Sequence, residues 1–196
     1  MGADGSAHQL TAYKKSIADE VLAASRRQMP KQKPGKSKQD YSTPKEFIDA
    51  VKKKFGIREF AYDLAASLEN TKAKFFFCEE ENSLAQEWRK LRGDLWLNPP
   101  FANIAPWAER CAASTEFVAE TARANLKPAR RIFLLVPAAV GSNWFAQHVF
   151  NKARVLLLNG RISFDGVAPY PKDLILAIYG EKPGIEVWRW AGAPLK

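Results

Sequence analysis

Asn98-Pro99-Pro100-Phe101 gathers residue types suited to one kind of chemistry, the activation of a weakly nucleophilic planar amine. A nitrogen such as the exocyclic amine of adenine has its lone pair delocalised into the ring. Two acceptors gripping its two hydrogens, the Asn98 side-chain oxygen and the Pro99 backbone carbonyl, favour a more tetrahedral nitrogen whose lone pair points at an electrophile. Phe101 adds a ring for the base to stack on. Such catalysis needs position and electrostatics rather than a strong base or a Ser/His/Asp set. The matching electrophile is a sulfonium methyl group, whose positive charge makes transfer to a neutral amine feasible. The bland alternative is a Pro-Pro turn after a strand.

The elements around this stretch must place it. Leu95–Leu97 read as a buried strand, and the two prolines forbid both a continued ladder and an immediate helix. The amide, the carbonyls and the ring therefore stand on a stiff loop beyond a strand's carboxyl end, where open α/β sheets bind ligands. Upstream, Thr43-Pro44-Lys45-Glu46 reads as a capping box with proline at the first helical position. Phe47, Ile48, Val51 and Phe55 form the buried face of a helix ending at Gly56. Residues 60–66 and 74–78 read as strands, the second closed by Glu79-Glu80-Glu81-Asn82-Ser83. A helical pattern begins over Leu84–Trp88, and Gly93-Asp94 turns the chain into the strand before Asn98.

Downstream, residues 104–124 are mostly helix formers, and Arg130–Pro137 is the clearest buried strand. A helix from Ser142 to Phe150 and a strand over Ala153–Leu158 follow. Asn159-Gly160 predicts a hairpin into a strand at Arg161–Phe164. Strands over 173–179 and 185–190 close the chain. Strands alternating with helices and then following each other closely predict an α/β fold with a mixed sheet, antiparallel at its C-terminal end.

Charge is unevenly spread along the 196 residues. The net charge is +9, from 30 Lys and Arg against 21 Asp and Glu. Residues 1–39 hold eight Lys/Arg and three acids, so more than half the excess lies in one fifth of the chain. A polyanionic partner fits that asymmetry, because clustered cations gain by releasing counterions from a phosphate backbone. Residues 1–38 are expected to be a basic, partly disordered N-terminal extension, and residues 39–196 the domain. Cys78 and Cys111 lack metal-ligand spacing, and His8 and His148 have no partners, so no metal is expected. No run approaches the ~18 apolar residues of a membrane span. The expectation is a soluble protein of a reducing cytoplasm.

A resemblance then becomes specific. Asp40-Tyr41-Ser42-Thr43-Pro44, Tyr62-Asp63-Leu64-Ala65-Ala66-Ser67, Phe77–Leu84 with Trp88, Trp96–Phe101 with Ile104 and Trp107, Leu134–Ala138 with Trp144-Phe145, and Gly160–Phe164 occur in order over residues 39–180. The series resembles the bacteriophage-type DNA N-6-adenine methyltransferase family. That resemblance implies a Rossmann-like methyltransferase fold using S-adenosyl-methionine and, for a protein of phage or prophage origin, the cytoplasm of a bacterial host.

The resemblance also assigns parts. Tyr41, Thr43 and Pro44 lie where a helix start can receive the cofactor's carboxylate. Asp63 suits its ammonium group, with Ala65 and Ala66 letting the backbone come close. Ala65-Ala66-Ser67 stand in place of the usual Gly-rich loop. One carboxylate of Glu79-Glu80-Glu81, with Glu80 favoured over its neighbours, is the expected ribose ligand, although an acidic run is by default a solvated turn. Asn82 and Ser83 contact the cofactor's adenine or cap the next helix, and Asn98 borders both cofactor and amine. Arg161, Asn103 and Trp144 are the expected DNA contacts in the domain, and Lys36 and Lys38 in the extension.

The resulting expectation is methyl transfer to the N6 amine of adenine in double-stranded DNA, with the base flipped into the Asn98–Phe101 pocket. Methylation of RNA amines or protein glutamine, and a catalytically silent nucleic-acid-binding protein of the same fold, are the alternatives. Nothing in the sequence indicates the oligomeric state or the DNA recognition sequence.

Overall fold

Seven strands pair into one sheet in the order β2-β1-β3-β4-β6-β5-β7 in the computed structural model, which describes residues 42–115, 130–164 and 168–191. The strands are β1 (Phe60–Asp63), β2 (Ala73–Phe76), β3 (Gly93–Leu97), β4 (Arg130–Pro137), β5 (Arg154–Asn159), β6 (Leu174–Tyr179) and β7 (Gly184–Arg189). The helices are α1 (Lys45–Phe55), α2 (Ala105–Ser114) and α3 (Asn143–His148). The extension expected over 1–38 and residues 116–124 of the expected 104–124 helix lie outside the described residues. Among the described residues no helix is long and apolar enough to cross a membrane.

The expected Rossmann-like α/β class is present. β2, β1, β3 and β4 run parallel, β6 enters antiparallel between β4 and β5, and β7 lies parallel to β5. Helices cover both faces, so the central strands are apolar on both sides and read as continuous hydrophobic runs. Every residue from Arg131 to Pro137 and from Leu174 to Tyr179 is buried. Alternation divides them between two cores. Phe133, Leu135, Leu176 and Ile178 pack with Phe47, Ile48 and Val51 of α1 on one face. Leu134, Val136, Ile175 and Ala177 pack with Ala108 and Cys111 of α2 and Phe145 of α3 on the other.

One topological feature decides where a site can lie. β1 has β2 on one side and β3 on the other, so successive connections leave it in opposite directions and open a crevice at the strands' carboxyl ends. In register, Asp63 pairs with Trp96, and the Leu64 N–H donates to the Trp96 carbonyl at 2.9 Å. Asp63 and Asn98 thus end adjacent strands at the same edge.

Three local expectations are corrected. Residues 84–88 do not begin an α-helix: Ser83–Ala85 and Trp88–Lys90 are separate 3-10 turns. Trp88 is fully buried and its indole N–H bonds the Ser83 carbonyl at 2.9 Å, which folds the segment back on itself. The Asn159-Gly160 hairpin is also absent, and Arg161–Phe164 form no strand. Both edges of β5 are already occupied by β6 and β7, so no lateral slot remains. Ile162 and Phe164 are buried beside the α1 core instead. Finally, no side chain caps α1; Pro44 is the cap residue, and its carbonyl accepts from the Phe47 and Ile48 N–H groups, both at 3.2 Å.

The amino ends of β3 and β4 are closed by charge. Arg131 donates to Asp94 at 2.6 Å and to Glu181 at 2.7 Å; Arg154 reaches Glu181 at 2.9 Å and Glu186 at 2.8 Å. Gly180, with φ +90°, makes the turn that returns Glu181 to this cluster, and a Cβ there would collide with the Arg130 carbonyl oxygen. Asp94 and Arg131 are both buried, so removing Asp94 leaves the buried guanidinium with Glu181 as its remaining acid in this cluster. Asp94→Ala is expected to lower the unfolding free energy in urea titrations by about 1.5–3 kcal/mol.

Candidate active site

At the crevice between β1 and β3 lies a cavity of about 590 Å³, within the size range of small-molecule sites. Its wall draws on separate segments: Thr43 before α1, Asp63 through Ser67 after β1 with Leu64 excepted, Phe77 to Glu79 after β2, Asn82 and Ser83, Asn98 and Pro100 after β3, and Trp107 on α2. Asn70, Lys72 and Trp96 complete it. Apart from Thr43, which stands before the first helix, each segment is a strand end, or the turn or helix start that follows one. That is why residues far apart in sequence meet here.

Asp63 anchors the arrangement. The residue is 2% exposed, and its two oxygens hold the chain that follows: Oδ1 accepts from the Ala65 N–H at 3.3 Å and Oδ2 from the Lys72 N–H at 2.9 Å. Burial pushes its pKa up to about 7, against the lowering effects of those two backbone bonds and the Lys72 charge. A carboxyl held there at neutral pH is poised to accept a cation, because an incoming positive charge favours its ionised form.

Two further polar groups await a partner. The Thr43 and Ser83 hydroxyls are buried and reach no hydrogen-bond partner among the described residues. Both residues line the cavity. A buried hydroxyl without a partner is costly, and a polar ligand in this space removes that cost. Asn98 contributes a buried Oδ1. Cys78 also stands on the wall, but the Glu80 and Glu81 carboxylates keep its thiol above the usual cysteine range, so it is no ready thiolate nucleophile. Among the described residues no group of three or more His, Cys, Asp or Glu is arranged to hold a metal ion.

The structure brings together Thr43, Asp63, Ala65, Ala66, Asn82, Ser83, Asn98 and Pro100 from the expected set. Pro44 caps α1 beside Thr43, and Pro99 is buried under the loop. Of the acidic run, Glu79 rather than Glu80 lines the cavity; Glu81 turns back to accept from the Cys78 N–H at 2.9 Å. Phe101 is half-buried, its ring edge-on to Phe164 and Tyr170 at centroid distances of 6.1 and 5.5 Å.

Arg161 donates to the Pro171 and Tyr170 carbonyls at 2.8 and 3.4 Å, bracing its own loop. Asn103 is exposed beyond Phe101. Trp144 is half-buried against Phe145, apart from the cavity wall. Tyr41, Lys36 and Lys38 lie outside the described residues. Lys72, Phe77 and Trp96 are wall residues that sequence reasoning missed, and Glu79 stands where Glu80 was favoured. Phe77 and Glu79 were signalled by their position at a strand end, whereas Lys72 carried no pattern.

The raised pKa of Asp63 makes a prediction for the unliganded protein. Between about pH 4 and pH 7 the unfolded chain has lost this proton while the native state keeps it, so stability falls as pH rises through that window and levels off above it. Thermal or urea unfolding across this range should show Asp63→Asn gaining on the parent with a slope approaching ~1.4 kcal/mol per pH unit. A constant difference between the two proteins would contradict it.

Comparison with known proteins identifies the family. A DNA N-6-adenine-methyltransferase of Escherichia phage T1 is 26% identical over 125 residues, covering 64% of this chain and 47% of that protein. The chain therefore spans about half the length of that relative. A DNA N-6-adenine-methyltransferase of Haemophilus phage HP1 (strain HP1c1) is 29% identical over 138 residues, covering 69% of this chain and 72% of that protein. Residues 31–181 match the family described as DNA N-6-adenine-methyltransferase (Dam), and with the site built at the β1/β3 crevice of an α/β sheet, the chain belongs to that family.

Proposed function

We propose that this protein transfers a methyl group from S-adenosyl-methionine to the N6 amine of adenine in double-stranded DNA. The observation that carries the reading is the meeting of Asp63 with Asn98 and Pro100 on one cavity at the β1/β3 crevice. The cavity suits the cofactor: an acid for its ammonium, unpartnered Thr43 and Ser83 hydroxyls for its polar ends, and Phe77, Trp96 and Trp107 for its apolar surfaces. S-adenosyl-methionine, when bound, supplies an electrophilic methyl group.

The chain's own residues then have separate tasks. Asp63 accepts the ammonium, and Glu79, in place of Glu80, accepts the ribose hydroxyls. Asn98 Oδ1 and the Pro99 carbonyl accept the two hydrogens of the adenine amine and turn its lone pair toward the methyl group. Phe101, its ring braced by Phe164 and Tyr170, stacks on the base. A stacked base cannot reach a strand-end site, so the adenine is flipped out of the duplex. Arg161 shapes the loop beside Phe101, Asn103 and Trp144 lie toward the DNA, and Lys36 and Lys38 add salt-sensitive phosphate contacts. In a phage context the reaction takes place in the cytoplasm of the bacterial host.

Incubation with duplex DNA and methyl-labelled cofactor, followed by digestion to nucleosides, tests the reading. The label is expected on N6-methyldeoxyadenosine alone, and label in RNA, in protein glutamine or on another base would overturn it. Asn98→Ala is expected to slow transfer by about 10²–10³-fold, the usual cost of one preorganised polar contact to a reacting group.

A further inference from the structure

The roles assigned above leave one charged group on the cavity wall unused. Lys72 lies between Asp63 and β2 in the chain, and two of its hydrogen bonds join parts of the site. Its backbone N–H donates to Asp63 Oδ2 at 2.9 Å, and its ammonium donates to the Ser42 hydroxyl at 2.9 Å. Lys72 therefore links the acid at the end of β1 to the residue preceding Thr43. At that second place Thr43, a residue of the cavity wall, is 2% exposed, and its buried hydroxyl has no partner among the described residues. α1 starts there as well, eleven residues long and without a side-chain cap, so the positive end of its dipole lies beside the cavity. A lysine ammonium, a buried unpartnered hydroxyl and a helix amino end all suit a carboxylate.

We propose that Lys72 makes this pocket select a cofactor that carries a carboxylate: its ammonium, with the Thr43 hydroxyl and the start of α1, receives that group while Asp63 receives the neighbouring amine. The proposal rests on the reading of the cavity as the S-adenosyl-methionine site. In an amino-acid head the two charges share one carbon, so their receptors must keep a fixed spacing. Lys72 supplies that spacing because one residue positions the Asp63 oxygen through its backbone and the carboxylate through its side chain. Against a ligand that keeps the amine but lacks the carboxylate, the same ammonium is a like charge at close quarters.

Calorimetric titration of the full chain, without DNA, tests this with S-adenosyl-methionine, its decarboxylated form and 5′-methylthioadenosine. The parent protein is expected to prefer S-adenosyl-methionine to the decarboxylated form by at least about tenfold, and equal affinities would overturn the proposal without recourse to any variant. Lys72→Met is expected to weaken S-adenosyl-methionine about 10- to 100-fold. It should leave 5′-methylthioadenosine unchanged and weaken the decarboxylated form not at all, and Lys72→Arg should recover most of the loss. Equal losses for all three ligands, or no loss for any, would overturn the role given to Lys72. If the parent protein binds no S-adenosyl-methionine at all, the cofactor reading beneath the proposal fails instead.

Discussion

The burial of one carboxylate, Asp63, constrains most of what surrounds it. The end of β1 is enclosed by β2, β3 and the turns that follow them, so an acid there is deprived of water. It is compensated only by backbone N–H groups from Ala65 and Lys72 and by the Lys72 charge. Those same bonds shape the turn from β1 to β2 and hold the cavity wall. Because β3 pairs with β1 from the other side, fixing Asp63 against Trp96 also fixes where Asn98 emerges, two residues later. The acid and the amide thus depend on one register rather than on separate accidents of folding.

The two ends of the sheet treat charge in opposite ways. At the amino ends of β3 and β4, the Asp94, Arg131, Glu181, Arg154 and Glu186 side chains pair with one another, and the cluster is closed. At the carboxyl ends, Asp63 accepts from two backbone N–H groups beside the Lys72 charge, and two hydroxyls are buried without partners among the described residues. Residues of β4 and β6 fill both cores. The second end keeps polar groups suited to a ligand.

Much of this was legible in the sequence because it is local. β4 was bounded by an uninterrupted apolar run, α1 by its buried face and Gly56, and the Asn98 loop by two prolines. What was not legible depends on distant pairing. The Asn159-Gly160 signal predicts a hairpin, but β6 arrives from residues 174–179 to take the edge of β5 that a hairpin would need. Thr43 looks like a helix cap from spacing alone, yet its hydroxyl makes no bond to the helix and the residue stands on the cavity wall. Glu79 and Glu80 differ by one position after β2, and only the three-dimensional path of the turn puts the first on the wall. Lys72 has no periodicity to mark it, and its importance comes from touching both Asp63 and Ser42.

The central claim is that the buried acid of the β1/β3 crevice receives the cofactor's ammonium group. With its pKa near 7, Asp63 is mostly protonated at about pH 6 and must ionise to make that contact. Calorimetric titration with S-adenosyl-methionine at that pH, repeated in buffers of different ionisation enthalpy, counts the protons released on binding. The account predicts release of close to one proton, abolished by Asp63→Asn. Binding heats that do not depend on the buffer would contradict it.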